Sequence, residues 1–330
     1  MTATSIEWTD YTWNPVTGCD KVSPGCDHCY AETIARRFAG TPQFPNGFGV
    51  TLRPERLADP ARWRKPRMVF TNSVADLFHD AVPDLFIAQV FAVMAAAPRH
   101  TFQVLTKRPG RMRSLLSRPD FREFMAQSMH FEDGNGGDSV FDWLAVNAPW
   151  PLPNIWLGVS AETQRWADIR IPQLFTTPAA VRFVSAEPLL GPVDLSRWLP
   201  AAPDPQPGLD WVIAGGESGA GARPMHPAWV RSLRDQCEGS TCDFFFKQWG
   251  QWTTRSPSSW PVGDAWAQPG RHCWIDPVTA ATKPFEDFTG TDDLDWALMH
   301  RVGKKAAGRE LDGRTWNEMP PPVREAIAAG

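Results

Sequence analysis

The sequence has few of the features that mark export, membrane insertion or general nucleic-acid binding. The formal net charge of its 330 residues is −4, so no overall positive field is available to attract a polyanion. No apolar run is long enough to span a bilayer, and the N-terminus MTATSIEWTD has no basic segment followed by an apolar one. We therefore expect a cytoplasmic protein that does not enter a membrane.

Tyrosine is also scarce, with 2 Tyr against 17 Trp. The hydrophobic fraction of 42% is ample for a sizeable core, and a chain of this length forms one large domain or two. The tryptophans either pack in that core or stack on a base, and composition does not separate the two.

Cysteine is scarce but unevenly distributed. Three of the six cysteines, Cys19, Cys26 and Cys29, fall within eleven positions. The segment that carries them contains Pro and Gly, and an apolar-periodic stretch follows at 30–38, so a loop leads into an amphipathic helix. The loop lets the sulfurs converge, and the helix amides stabilise thiolates. In a cytoplasmic protein such a group binds metal more often than it forms disulfides.

Three thiols fit two kinds of metal centre. A four-iron cluster held by three thiolates leaves one iron open, which favours reactivity over a structural role. A structural zinc takes four protein ligands, and His28 would join Cys19, Cys26 and Cys29. The adjacency of His28 and Cys29 strains that tetrahedral site, so the iron–sulfur cluster is the preferred interpretation and zinc the second. The third alternative is three unrelated cysteines.

Strands and helices alternate along much of the chain. Short apolar runs of the kind that are buried on both faces of a parallel sheet recur six times. They are MVFTNS (68–73), TFQVLT (101–106), NIWLGVS (154–160), VRFVSAE (181–187), DWVIAGG (210–216) and DFFFKQW (243–249). TWNPVTG (12–18) adds a first strand, and apolar periodicity predicts helices at 85–98, 165–175 and 226–237.

This alternation predicts a TIM-like parallel β/α barrel, complete or incomplete, at residues 1–250. A doubly wound sheet is the alternative, because strand order is not visible in a sequence. The alternation stops near residue 251. We expect residues 251–330, which are rich in Trp, Pro and charges, to form an irregular C-terminal extension packed on the barrel.

Each predicted strand ends in polar residues, and the active site of a β/α barrel lies at the carboxyl ends of its strands. The candidates at these ends are Asn72, Ser73, Lys107, Ser160, Glu187, Glu217 and Lys247. Helix N-capping accounts for Ser73, but Lys107, Glu187 and Lys247 would need partners if they were buried. We predict Glu187, Glu217, Lys107 and Lys247 as catalytic residues, and Asn72, Ser73 and Ser160 as cofactor-binding residues.

The segment GGESGAGARP (215–224) is rich in glycine, which lets the backbone approach a ligand closely. It lacks the lysine of a phosphate-binding loop, so we do not expect a nucleoside triphosphate there. Gly215, Gly216 and Glu217 are therefore further candidates for contact with a cofactor.

The motif C-x6-C-x2-C followed by Tyr30 and Ala31 resembles the cluster loop of radical S-adenosylmethionine enzymes, with a first gap three residues longer than their C-x3-C-x2-C. Over about residues 6–250 the chain resembles the phage-associated three-cysteine-motif family, whose function is unassigned. The matching stretches are EWTDYTWNPVTGC, CDHCYA, FTNSVADLFHD, VLTKRP, WLGVSAET, VSAEPLLGP, WVIAGGESGAGARPMHP and FFFKQWG.

The resemblance implies a [4Fe-4S] cluster on the three cysteines, with S-adenosylmethionine bound to the open iron and cleaved on reduction to a 5′-deoxyadenosyl radical. In that superfamily a Gly-Gly-Glu segment after the second strand contacts the methionine amino group. The Gly-Gly-Glu at 215–217 matches it in letters but follows the sixth strand, whereas Asn72 and Ser73 follow the second. Asp20 and His28 are close enough in sequence to occupy the open iron instead.

Three functions remain open. The first is a radical S-adenosylmethionine enzyme, whose substrate we take to be a nucleic acid or nucleotide because of the phage association and the basic clusters at 53–67 and 107–122. The second is a non-catalytic iron–sulfur barrel that binds nucleic acid or protein. The third is a zinc-stabilised, hydrolase-like barrel that uses Glu187, Glu217 and Lys247.

Overall fold

A seven-stranded, all-parallel sheet forms the centre of the computed structural model, which describes residues 4–129, 143–199, 208–254, 270–287 and 295–322. Its strands are β1 (Tyr11–Trp13), β4 (Met68–Thr71), β5 (Thr101–Thr106), β6 (Ile155–Ser160), β7 (Val181–Ala186), β8 (Trp211–Gly215) and β9 (Asp243–Gln248). They lie in the sheet in chain order, and the sheet curls into a half-barrel. A doubly wound sheet reverses its strand order, so that alternative is wrong.

Seven of the described α-helices lie between strands along the chain, and the eighth follows the last described strand. They are α1 (Tyr30–Arg37), α2 (Asp59–Arg62), α3 (Asp84–Ala95), α4 (Pro109–Leu116), α5 (Phe121–Gln127), α6 (Gln164–Phe175), α7 (Pro227–Glu238) and α8 (Lys304–Ala307). None of the helices in the described ranges combines the length and the apolar character needed to cross a bilayer.

The strand predicted at 12–18 is divided in the structure. Only β1 joins the large sheet, whereas β2 (Val16–Thr17) pairs antiparallel with β3 (Thr51–Leu52). Pro15 stands between the two pieces, and proline has no backbone N–H to donate to a sheet ladder. The other six predicted strands agree with the structure to within two residues at either end.

The two faces of the large sheet bury different side chains. The outer face carries aliphatic residues such as Val104, Val159 and Val184, which share a core with the helices. The inner face is covered by a separate, mainly aromatic cluster, consisting of Trp8, Phe70, Trp156, Phe183, Trp211, Ile213 and Phe245. Trp156 and Trp211 are at most 1% exposed, so these tryptophans fill the half-barrel and are not stacking platforms.

The C-terminal extension contains a four-stranded antiparallel sheet. Its strands are β10 (Trp252–Thr253), β11 (His272–Ile275), β12 (Thr282–Pro284) and β13 (Ala297–Arg301), in the order β10-β13-β11-β12. The prediction of an irregular extension is wrong for these residues, because strands of two to five residues carry too little periodicity to be recognised in the sequence. Residues 1–3, 130–142 and 200–207 of the predicted barrel, and residues 255–269, 288–294 and 323–330 of the extension, lie outside the described ranges.

The packing of the inner face can be tested with a glycine-to-alanine change on that face and a matched control on a helix. A Cβ added to Gly158 would stand 2.4 Å from ring carbons of Phe183, which is fully buried. We expect Gly158→Ala to destabilise the fold by about 1–3 kcal/mol through overpacking. In the control, Gly110→Ala in α4, the new Cβ meets nothing within 4 Å, and stability should rise by up to about 1 kcal/mol. Urea denaturation measures both, and equal stability of the two variants would contradict this packing.

Candidate functional site

The loop that carries the three cysteines, residues 19–29 and here called the cysteine loop, lies across the carboxyl ends of the parallel strands. Side chains that follow four different strands contact it: His79 after β4, Arg108 after β5, Glu162 after β6 and Glu217 after β8. The helix predicted after the loop is confirmed as α1, with Cys29 as its N-cap residue.

The first cysteine lies beside an arginine–aspartate pair. Arg108 Nη1 is 3.5 Å from Cys19 Sγ and 3.2 Å from Asp76 Oδ2. Asp76 also accepts hydrogen bonds from Thr106 Oγ1 at 2.7 Å and from the backbone N–H of Lys107 at 3.0 Å. Burial, reinforced by the negative charge of Asp76, raises the pKa of the Cys19 thiol to about 11, although Arg108 opposes the shift.

The middle of the loop contacts a buried carboxylate. Glu162 is fully buried, and it accepts hydrogen bonds from the Gly25 backbone N–H at 3.3 Å and from Arg170 Nη1 at 2.9 Å. Lys107 Nζ lies 3.9 Å away. Burial alone would raise the pKa of Glu162, but the charges of Lys107 and Arg170 outweigh it and lower that pKa. Glu162 is therefore held as a carboxylate against the backbone next to Cys26.

The end of the loop contacts Glu217, which is 5% exposed. Arg223 donates to its two oxygens at 2.9 and 2.6 Å, and His28 Nδ1 lies 3.1 Å from Oε2. Arg223 also reaches Asp27 Oδ2 at 3.2 Å and the carbonyl oxygen of Pro24 at 2.8 Å. Burial would raise the pKa of Glu217, but the hydrogen bonds from Arg223 and His28 lower it below its ordinary value.

The predicted catalytic residues Glu187 and Lys247 form an ion pair at the ends of β7 and β9. Lys247 Nζ lies 2.7 Å from Oε1 and 2.8 Å from Oε2 of Glu187, and Gln248 Nε2 lies 3.2 Å from Oε1. Ser160 and Ser185 are buried neighbours in the register of β6 and β7. The four predicted catalytic residues, Glu187, Lys247, Lys107 and Glu217, therefore all lie at the strand ends.

The cofactor-binding candidates have structural partners. Asn72 Oδ1 accepts from the Val16 backbone N–H at 3.2 Å, and Ser73 Oγ lies 3.2 Å from Asn14 Oδ1. Asn72 has a positive φ of 62°, and its buried Nδ2 has no hydrogen-bond partner among the described residues. These contacts hold the end of β4 against the segment that leads into the cysteine loop.

Gly216, in the 215–224 segment, allows two strand ends to approach closely. A Cβ on Gly216 would stand 2.0 Å from the carbonyl oxygen of Trp249, so no other residue fits there without a backbone shift. A Cβ on Gly215 would stand 3.5 Å from Glu187 Cδ, an ordinary contact. The need for glycine at 216 is therefore explained by the contact between the ends of β8 and β9.

Arg170 is a site residue that sequence reasoning missed. It stands on α6, its side chain is 1% exposed, and two of its guanidinium nitrogens have no partner among the described residues. The signal that could have found it is its position: Arg170 shares the buried face of α6 with Ala167, Ile171 and Leu174. A charge on an apolar helix face requires a buried partner, which here is Glu162.

The described residues contain no group of three or more His, Cys, Asp or Glu side chains that could hold one metal ion. His28, the fourth ligand of the zinc alternative and a candidate for the open iron, is hydrogen-bonded through Nδ1 to Glu217. Asp20, the other candidate for the open iron, lies 2.9 Å from His79 Nε2. A cluster places each thiolate on a different iron, so this finding does not test the cluster.

Seven of the twelve basic residues in the two clusters form ion pairs with carboxylates in the described part of the chain. The arginines and lysine that pair with carboxylates are Arg53, Arg56, Arg62, Lys107, Arg108, Arg111 and Arg118. A nucleic-acid or protein partner at 53–67 or 107–122 stays a prediction.

The buried ion pair under the cysteine loop gives a stability prediction. Glu162→Gln would leave Arg170 buried without a compensating charge, and breaking such a pair costs about 3–5 kcal/mol. The matched control is Glu55→Gln, which breaks the pair with Arg53 where Glu55 is 56% exposed, and should cost about 1 kcal/mol or less. Urea denaturation measures both losses. A Glu162→Gln variant no less stable than the control would show that the pair is not buried as described.

Comparison with curated proteins and with solved structures gives no match for this chain. One family model, described as a protein of unknown function (DUF5131), matches residues 3–320. The match covers nearly the whole chain, including the cysteine loop and all the strand-end residues. The chain therefore belongs to this family of unknown function.

Proposed function

We propose that the protein holds a [4Fe-4S] cluster on Cys19, Cys26 and Cys29 and binds S-adenosylmethionine at that cluster. The observation that carries the proposal is the position of the cysteine loop at the carboxyl ends of the parallel strands, supported by side chains that follow four of them. In β/α barrels this end carries the active site, and we take the half-barrel as an incomplete barrel of the TIM-like kind.

The donor set supports a cluster. None of the three cysteines is tied up in a disulfide, and Cys19 has the Arg108 guanidinium beside its sulfur at 3.5 Å. A positive charge at that distance favours the thiolate that a metal requires, and binding would release the thiol proton that burial retains. When bound, the cluster would supply the electron for reductive cleavage of S-adenosylmethionine, as the resemblance to radical S-adenosylmethionine enzymes implies.

The neighbouring residues have separable roles in this proposal. Glu162 and Glu217 hold the cysteine loop. The Glu187–Lys247 pair provides charged groups that would contact a substrate at the carboxyl ends of the strands. The oxygens of Glu217 already accept from Arg223 and His28, which favours Asn72 and Ser73 as the contacts of the methionine moiety. We propose a nucleic acid or nucleotide as the substrate, because the chain resembles a phage-associated family.

The cluster prediction is tested by substitution of the cysteines. Cys19→Ala, Cys26→Ala and Cys29→Ala should each abolish the binding of iron and sulfide after anaerobic preparation, because each removes one of only three thiolates. The control is Cys273→Ala, in the C-terminal sheet, which should keep the iron content of the unaltered protein. Iron that survives any of the first three changes would contradict the site, and one zinc per chain would favour the zinc-stabilised hydrolase.

The second prediction concerns S-adenosylmethionine. When the cluster is reduced with dithionite, addition of S-adenosylmethionine should shift its electron paramagnetic resonance signal, and 5′-deoxyadenosine should appear. Protein with the Cys26→Ala change is the control and should give neither. An unshifted signal without nucleoside product, in protein that holds the cluster, would favour the non-catalytic iron–sulfur barrel.

A further inference from the structure

The loop formed by residues 216–223, here called the 216–223 loop, is the partner of the cysteine loop at the end of β8. Arg223 joins Glu217 to Asp27 and to the carbonyl oxygen of Pro24. Gly221 lies against the ring of His28, and a Cβ added there would stand 2.8 Å from the ring. The two loops therefore move together or lose these contacts.

The 216–223 loop is bonded in turn to the C-terminal extension. Trp252 Nε1 donates to the carbonyl oxygen of Ala222 at 2.7 Å in a buried hydrogen bond. The backbone N–H of Gln251 donates to the carbonyl oxygen of Glu217 at 3.0 Å, and the guanidinium of Arg301 donates to the carbonyl oxygen of Ala220. Three carbonyl groups of one short loop thus accept from the extension.

We infer that the C-terminal extension is part of the candidate site, with Trp252 and Arg301 as positioning residues that fix the cysteine loop through the 216–223 loop. The inference rests on the proposed role of the cysteine loop. Its physical basis is that a loop without regular secondary structure keeps one conformation only where its backbone groups have fixed partners. Here the extension supplies those partners on one side, and the Glu217–Arg223 pair transmits the position to Asp27 and His28 on the other.

The experiment removes single hydrogen bonds and measures the exposure of the cysteine loop in iron-free protein. Trp252→Phe removes the indole N–H and keeps an aromatic ring. The matched control is Trp229→Phe, which removes an indole N–H bond to the carbonyl oxygen of Pro277, away from the 216–223 loop. Arg301→Gln is a second variant of the same contact region. Each protein is labelled briefly with N-ethylmaleimide, and the rate at each cysteine is measured by mass spectrometry.

Cys26 is 9% exposed and reports on the cysteine loop, whereas Cys237 is 2% exposed, on α7, and reports on global unfolding. A hydrogen bond of about 1 kcal/mol corresponds to a rise of about fivefold in the population of an opened loop. We expect Trp252→Phe and Arg301→Gln to accelerate the labelling of Cys26 by about that factor, with Cys237 and the Trp229→Phe control unchanged.

Two results would overturn the inference. One is an unchanged Cys26 rate in both variants. The other is equal acceleration at Cys26 and Cys237, which would mean that the bonds support the whole fold and not the loop. The labelling uses iron-free protein, so its result does not depend on iron binding. If the protein never binds iron, the proposed function is refuted, and the labelling still decides whether Trp252 and Arg301 position the cysteine loop.

Discussion

The carboxylates buried at the strand ends impose the constraint on which the candidate site depends. Glu162 and Glu217 are 0% and 5% exposed, and a buried charge without a partner is costly. Each is neutralised by an arginine, Arg170 or Arg223, and each also accepts a hydrogen bond from the cysteine loop. Displacing that loop would leave acceptors unsatisfied in a poorly solvated place, so the ion pairs under the site also determine where the cysteines lie.

The aromatic inner face leaves the carboxyl ends of the strands as the place for the proposed site. Trp156, Phe183 and Trp211 are at most 1% exposed, and the ring of Phe183 fills the space above Gly158. The interior of the half-barrel is therefore filled by side chains. A ligand of the proposed site would have to approach from the carboxyl ends of the strands, where Lys107, the Glu187–Lys247 pair and the cysteine loop are located.

The strands of the sheet and the polar residues at their ends can be predicted from the sequence. The ion-pair partners of those polar residues cannot. Continuous apolar runs identify β4 to β9 because a parallel sheet is buried on both faces. The separation of β1 from β2 is marked by Pro15, a signal that the prediction of one strand at 12–18 did not use. Glu162 and Arg223 are visible as charges near strand ends. Their partners are not, because Arg170 is on a helix and Asp27 is almost two hundred residues from Arg223 along the chain. The short strands of the extension lie below the length at which periodicity separates a strand from a loop.

The open edge of a half-barrel explains why the extension reaches the site at all. Strand β9 ends the sheet, and an unpaired edge strand exposes backbone groups to other chains. Asn317 forms a bridge with Phe245, and the Phe246 backbone N–H donates to the carbonyl oxygen of Trp316 at 3.1 Å, so this part of the extension covers the edge. β8 and β9 are neighbours, and other residues of the same extension, Trp252 and Arg301, contact the loop that follows β8. Covering of the sheet edge and the inferred support of the cysteine loop are thus two consequences of one placement of the extension.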